Sequence, residues 1–160
     1  MAEKRTSIVD LLAASVVVLL LLAVVAPTIV DKRVYANESS AVATLRAVHA
    51  AQLKYAQVYP TLGFADDVAK LGPPLSGAPG PANADVLDFP PGCARQPCAR
   101  SGYNFMIDQT SGSPINTFRI IAVPITPGRS GTRGFCLGES GIITADPAGG
   151  SACSVKIPAN

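Results

Sequence analysis

Tryptophan is absent from this sequence, histidine occurs once, and aromatic residues make up only 6% of the 160 positions. The charged fraction, 15%, is well below the ~25% usual for a soluble globular domain. Yet 48% of the chain is hydrophobic. An apolar surplus without aromatics means aliphatic residues gathered in one place. Charge of one sign is also missing: the net charge is +2, and residues 61–160 carry seven Lys/Arg against seven Asp/Glu. That balance excludes a strongly basic nucleic-acid binder. The length and composition exclude a large multidomain enzyme, a coiled-coil rod and a disordered tail. No glycine-rich phosphate loop with lysine, no nucleophile elbow and no clustered carboxylate pair occurs, so nothing in the sequence supports catalysis, and no cofactor is expected.

What is there in excess is one block. Residues 11–26 read LLAASVVVLLLLAVVA, and the apolar stretch runs from Ile8 to Val30 if Asp10, Ser15, Pro27 and Thr28 are admitted. A transmembrane helix needs about 20 such residues, whereas a cleaved secretory signal has an apolar region of roughly 7–15. The run therefore reads as a retained single-pass anchor in contact with membrane lipid. Lys4 and Arg5 flank one end and Lys32 and Arg33 the other, so charge does not set its orientation. Cysteine does: Cys93, Cys98, Cys136 and Cys153 all follow the block, and disulfides persist outside the cytoplasm. The expectation is a single-pass membrane protein with its N-terminus inside and its C-terminal domain outside the cytoplasm.

Beyond the block, Asn37–Tyr59 combines strong helix formers with apolar residues at 42, 45, 48, 55 and 59, a helical stripe. Pro27 is expected to kink rather than end the helix, and Pro60 to end it. Residues 7–59 then form one helix of about 80 Å at 1.5 Å per residue, apolar in its first half and amphipathic in its second. Residues 61–70 suggest a short helical turn. Residues 71–92, with six prolines and four glycines, read as irregular loop. Strand-like runs follow at Tyr103–Asp108, Thr117–Pro124 and Gly134–Ala145, the last with a turn at Gly138–Gly141, and Pro127–Gly131 reads as a turn between strands. The expected fold is α+β: a long N-terminal helix packed on an antiparallel sheet of three or four strands. The expected organisation is a basic leader at 1–5, a transmembrane or filament-core half at 6–30, an amphipathic half at 31–60, a variable loop region at 61–102 and the sheet with a disulfide-tied C-terminal region at 103–160.

This order of parts resembles the type IV pilins and the pseudopilins of type II secretion. Pro27 and, ten residues later, Asn37-Glu38-Ser39-Ser40-Ala41-Val42 carry the resemblance in the helix, with Leu45-Arg46, Gln52, Tyr55 and Tyr59-Pro60 continuing it. Ser101-Gly102-Tyr103-Asn104-Phe105 looks like the family's first sheet strand. Pro124–Gly128, Gly131–Cys136 and Glu139–Ile143 look like its last hairpin. The resemblance implies a processing junction between Arg5 and Thr6, where Arg5 stands in place of the family's glycine. Asp10 then occupies the position of the family's glutamate, which neutralises the freed N-terminal amine of a neighbouring subunit. The implied partners are other pilin-like subunits in a helical filament, a prepilin peptidase and an assembly platform. The implied role is a structural subunit, major or minor, of a pilus or pseudopilus, and the implied place is the bacterial inner membrane with the C-terminal domain in the periplasm, or a cell-surface filament once assembled. The other reading is a membrane protein with a pilin-like binding domain that does not polymerise, which Arg5 favours.

Four cysteines allow three connectivities. Cys93–Cys98 would staple a small loop and Cys136–Cys153 would tie the C-terminal tail to the sheet, the preferred pairing. Their spacing fits a zinc site poorly, so no metal is expected. His49 reads as a partly exposed helix residue and Asp66-Asp67 as a solvated helix start. Arg95, Arg100, Arg119, Arg129 and Arg133 could form a patch for DNA, but with equal numbers of acids scattered surface charge is the better reading, and nucleic acid is not an expected partner.

Overall fold

The computed structural model describes residues 8–88 and 93–157, apart from the side chains of residues 9–10 and 20–30. Helix α1 spans Ile8–Val58 and continues through Pro27. The chain divides into two units at Arg33 and Val34.

In the first unit the described side chains of the apolar run lie in the open. Ile8, Leu11, Leu12, Val16, Val17, Val18 and Leu19 are between 54% and 78% exposed. The one hydroxyl among them, that of Ser15, donates to the Leu12 carbonyl at 2.8 Å and so presents no unmet donor. Among the described residues no helix is long and apolar enough to cross a membrane. This corrects two expectations: the transmembrane half assigned to 6–30, and the single-pass inner-membrane placement built on it.

The second unit is built from the remainder of α1 and an antiparallel meander. A one-turn 3₁₀ helix, Val68–Leu71, is followed by β1 (Cys98–Arg100), β2 (Tyr103–Ser111), β3 (Thr117–Pro124), β4 (Gly134–Gly138), β5 (Ile143–Asp146) and β6 (Val155–Lys156), paired in that order. The sheet has six strands rather than three or four, which corrects the expected fold. The two additional strands are the outermost ones. At three and two residues they are too short to show a period of two; β1 begins at the disulfide cysteine Cys98, and β6 lies two residues after Cys153 of the second bridge.

Apolar alternation sets the inner face of the sheet. Tyr103, Phe105 and Ile107 on β2 meet Phe118, Ile120 and Ala122 on β3, then Phe135 and Leu137 on β4 and Ile143 and Ala145 on β5. From α1 the buried stripe is Ala41, Leu45, Val48, Gln52 and Tyr55, at alternating steps of four and three residues. Burial of one such side chain as large as Leu45 contributes about 1.5–3 kcal/mol.

Two buried or half-buried amides complete this core. The Gln52 side chain is fully buried; its Nε2 donates to the Ala65 carbonyl at 2.9 Å and its Oε1 accepts from the Ala65 N–H at 2.8 Å. The Gln96 amide does the same for Ile107, at 2.8 and 2.9 Å. Each substitutes a side chain for a missing strand partner. Among its described residues the Pro/Gly-rich segment after the 3₁₀ helix forms no strand, but Ala84, Asp85, Val86 and Leu87 donate backbone bonds to Lys70, Gly72 and Leu71, so it is irregular yet fastened.

Candidate functional site

Three side chains of α1 bind connections of the sheet: Asn37 and Glu38 the one between β3 and β4, and Ser40 the turn between β1 and β2. Asn37 Nδ2 donates to the Ser130 carbonyl at 2.9 Å, and the Ser40 hydroxyl donates to Ser101 Oγ at 2.9 Å. Between them lies Glu38, 5% exposed. Its Oε1 accepts from Thr132 N (2.9 Å), Thr132 Oγ1 (2.7 Å) and Arg133 N (3.1 Å). Its Oε2 accepts from Arg133 Nε (2.8 Å) and Nη2 (2.6 Å). Burial alone would raise the pKa of this carboxyl, but the bonds from Thr132 and Arg133 outweigh it and hold the group below its ordinary value. A carboxylate with five donors is therefore ionised and fixed. The Asn37–Val42 segment that carries the family resemblance in the helix is the segment that fastens the helix to the sheet domain.

The partner loop is shaped for this contact. Backbone bonds from Arg129 and Ser130 to the Thr126 carbonyl close its turn. Gly131 is buried against the Tyr103 phenol: a Cβ there would lie 2.0 Å from the hydroxyl oxygen. That hydroxyl donates to the Arg133 carbonyl at 2.8 Å. Burial first, with the Glu38 charge adding to it, pushes the Tyr103 phenol up, so it stays a neutral donor. The Arg133 guanidinium also lies 5.4 Å from the centre of the Phe135 ring. Beside this latch a groove of about 240 Å³ runs along α1, bordered by Tyr35, Val42, Arg46, Arg133 and Ile157.

Of the residues singled out from the sequence, Arg5 and Thr6 lie outside the described residues. Asp10 and Pro27 fall within α1, with side chains outside the described ones. The cysteines form Cys93–Cys98 and Cys136–Cys153, with Cα separations of 5.4 and 6.0 Å. His49 is half-buried, its Nε2 3.1 Å from the Glu139 carbonyl oxygen and its ring beside Phe118. Asp66 pairs with Lys70, and Asp67 caps the 3₁₀ helix by accepting from the Ala69 N–H. The arginines are dispersed to local partners: Arg119 to Asp108, Arg133 to Glu38, and Arg100 to the Asp88 carbonyl. Among the described residues no group of three or more His, Cys, Asp or Glu could hold a metal ion. The Glu38–Arg133 latch was missed in the sequence. Its signal was faint: an Asn-Glu pair at the start of an amphipathic stretch, and a Gly-Thr-Arg-Gly turn more than ninety residues later.

No protein-family model, curated protein or solved structure matches the chain.

Proposed function

We propose that this protein is a structural, non-catalytic subunit of a type IV pilus-like or type II secretion filament, assembling through the apolar half of α1. The observation that carries this reading is the exposed aliphatic surface at Ile8 and along residues 11–19. Isolated exposed leucines are ordinary; a helix segment apolar on every described side is not, and such a surface calls for a cover. A second copy suits it. Ala13, Ala14 and Ser15 let helices approach closely, and the Ser15 hydroxyl is already satisfied. Asp10, in the same run, supplies a carboxylate for the N-terminal amine of a neighbour once the chain is cut between Arg5 and Thr6. The fastening of Asn37, Glu38 and Ser40 to the sheet domain fits a subunit that transmits load from a helical core to an outer domain.

The test is to recover the protein from its native source, determine its N-terminal residue by mass spectrometry, and examine sheared material by electron microscopy. Chains beginning at Thr6 within filaments are expected. Val17→Glu, which places a charge on the exposed apolar surface, should abolish filaments and leave the sheet domain folded. Chains that always begin at Met1 and never enter filaments would overturn the reading.

A further inference from the structure

Away from the latch, a cleft of about 700 Å³ opens over the sheet where β3 extends beyond β4. Strand register explains it. Arg119 on β3 faces Gly138 on β4, which has no side chain to fill the space, and Gln109 faces Arg119 from β2. The same pleat parity brings Ser111 and Thr117, which are paired, and Thr144, which is paired with Cys136, to this face. Glu139 and Ser140, both exposed, border the cleft from the β4–β5 turn.

The lining is chemically narrow. Three hydroxyls and one amide from the strands can each both donate and accept. The one cation, Arg119, already makes a two-point ion pair with Asp108, which holds its guanidinium charged and its fork occupied. A phosphate or carboxylate ligand would thus find no uncommitted guanidinium here. Glu139 adds an exposed acceptor suited to a pair of neighbouring hydroxyls. Ile142, 47% exposed, supplies an apolar seat, and the Cys136–Cys153 bridge ties down the strand beside it. The volume lies in the 300–1,000 Å³ range of small-molecule sites, and strands β2 to β5 form its floor with the β4–β5 turn at its rim.

We propose that this cleft binds a neutral, hydroxyl-rich ligand, a saccharide of one or two rings. The ligand's hydroxyls pair with Ser111, Thr117, Thr144, Gln109 and Glu139, and its C–H face rests on Ile142. Because the site lies on the sheet domain and uses none of the latch residues, it stands or falls independently of filament assembly.

Saturation-transfer-difference NMR on the full chain tests this, since it reads the ligand and tolerates a large or assembled protein. The probes are cellobiose, maltose and N,N′-diacetylchitobiose at millimolar concentration, with methyl phosphate, whose methyl protons report transfer, and a five-residue valine-threonine peptide as comparisons. Saturation transfer to at least one disaccharide and none to methyl phosphate is the expected result. Thr117→Val with Thr144→Val should weaken binding about tenfold, the loss of two hydrogen bonds of roughly 0.7 kcal/mol each. If that pair unfolds the sheet, Glu139→Gln on the exposed turn replaces it, with a weakening of about threefold expected. No transfer to any of the three sugars, transfer unaffected by the substitutions, or transfer only to methyl phosphate or the peptide would overturn the proposal.

Discussion

Replacing Glu38 by Gln changes one oxygen to an NH₂ at a site where five donors converge. The amide oxygen can retain the three donors now on Oε1, from Thr132 N, Thr132 Oγ1 and Arg133 N. The amide nitrogen must then face Arg133 Nε and Nη2, donor against donor, and both of those bonds are lost. Hydrogen bonds to a charged group contribute about 1.5–3 kcal/mol each. The side chain of Arg133 is 46% exposed and can turn to water, which recovers roughly half of the loss. A destabilisation of about 2–3 kcal/mol is expected, read by urea unfolding of the full chain with far-UV circular dichroism and tyrosine fluorescence. The pH dependence gives a second reading. Glu38 is held below its ordinary value of 4.5 in the folded protein, so its contribution is complete above the unfolded value and is lost as pH falls through the folded one. The gap between wild type and Glu38→Gln should be constant from neutral pH to about pH 5 and should close in more acid solution. A neutral-pH gap under about 0.5 kcal/mol, or one that does not narrow with acid, would refute the account of the latch.

Gln52→Leu leaves the buried Ala65 N–H and carbonyl without partners and should cost about 2–4 kcal/mol in urea unfolding. Gly131→Ala drives a methyl into the Tyr103 hydroxyl and should cost about 1–3 kcal/mol, visible as a lowered thermal midpoint. Replacing Cys136 and Cys153 together by Ser opens a bridge across 17 residues and should lower stability by about 3 kcal/mol, a loss that reduction of the wild type would reproduce in part. Asp66→Asn, by contrast, breaks an exposed pair with Lys70 and should change stability by less than about 0.5 kcal/mol in the same assay.

Features written in short-range pattern were legible in the sequence, and features made by distant partners were not. β3 runs over Thr117–Pro124, the span its alternation indicated, because a strand buried on one face must repeat every two residues. The helix ends at Val58, two residues before Pro60, as the ring of a proline demands. By contrast, β1 and β6 are two or three residues long, pair only with the edges of the inner strands, and carry no alternation that would mark them. Asp67 was read as a solvated helix start and does cap a turn, but its carboxylate also accepts from Gln96 N, a contact 29 residues away that no local rule reveals. The same distance hid the partnership of Glu38 with Arg133. The cleft was hidden for another reason: it depends on which strand a glycine faces, and register is set by the whole sheet.

The pairing of Gln96 with Ile107 has a consequence for crowded conditions. β1 covers β2 only from Tyr103 to Phe105, and beyond it the backbone of β2 would offer Ile107 as the next position for an incoming strand. The Gln96 amide occupies both hydrogen-bonding groups of that residue. A second molecule approaching this side finds the template already filled by a side chain, a form of edge protection that costs the chain no extra strand. In the filament proposed above, where copies would crowd together, such a plug keeps contacts between sheet edges from competing with the ordered mode of association.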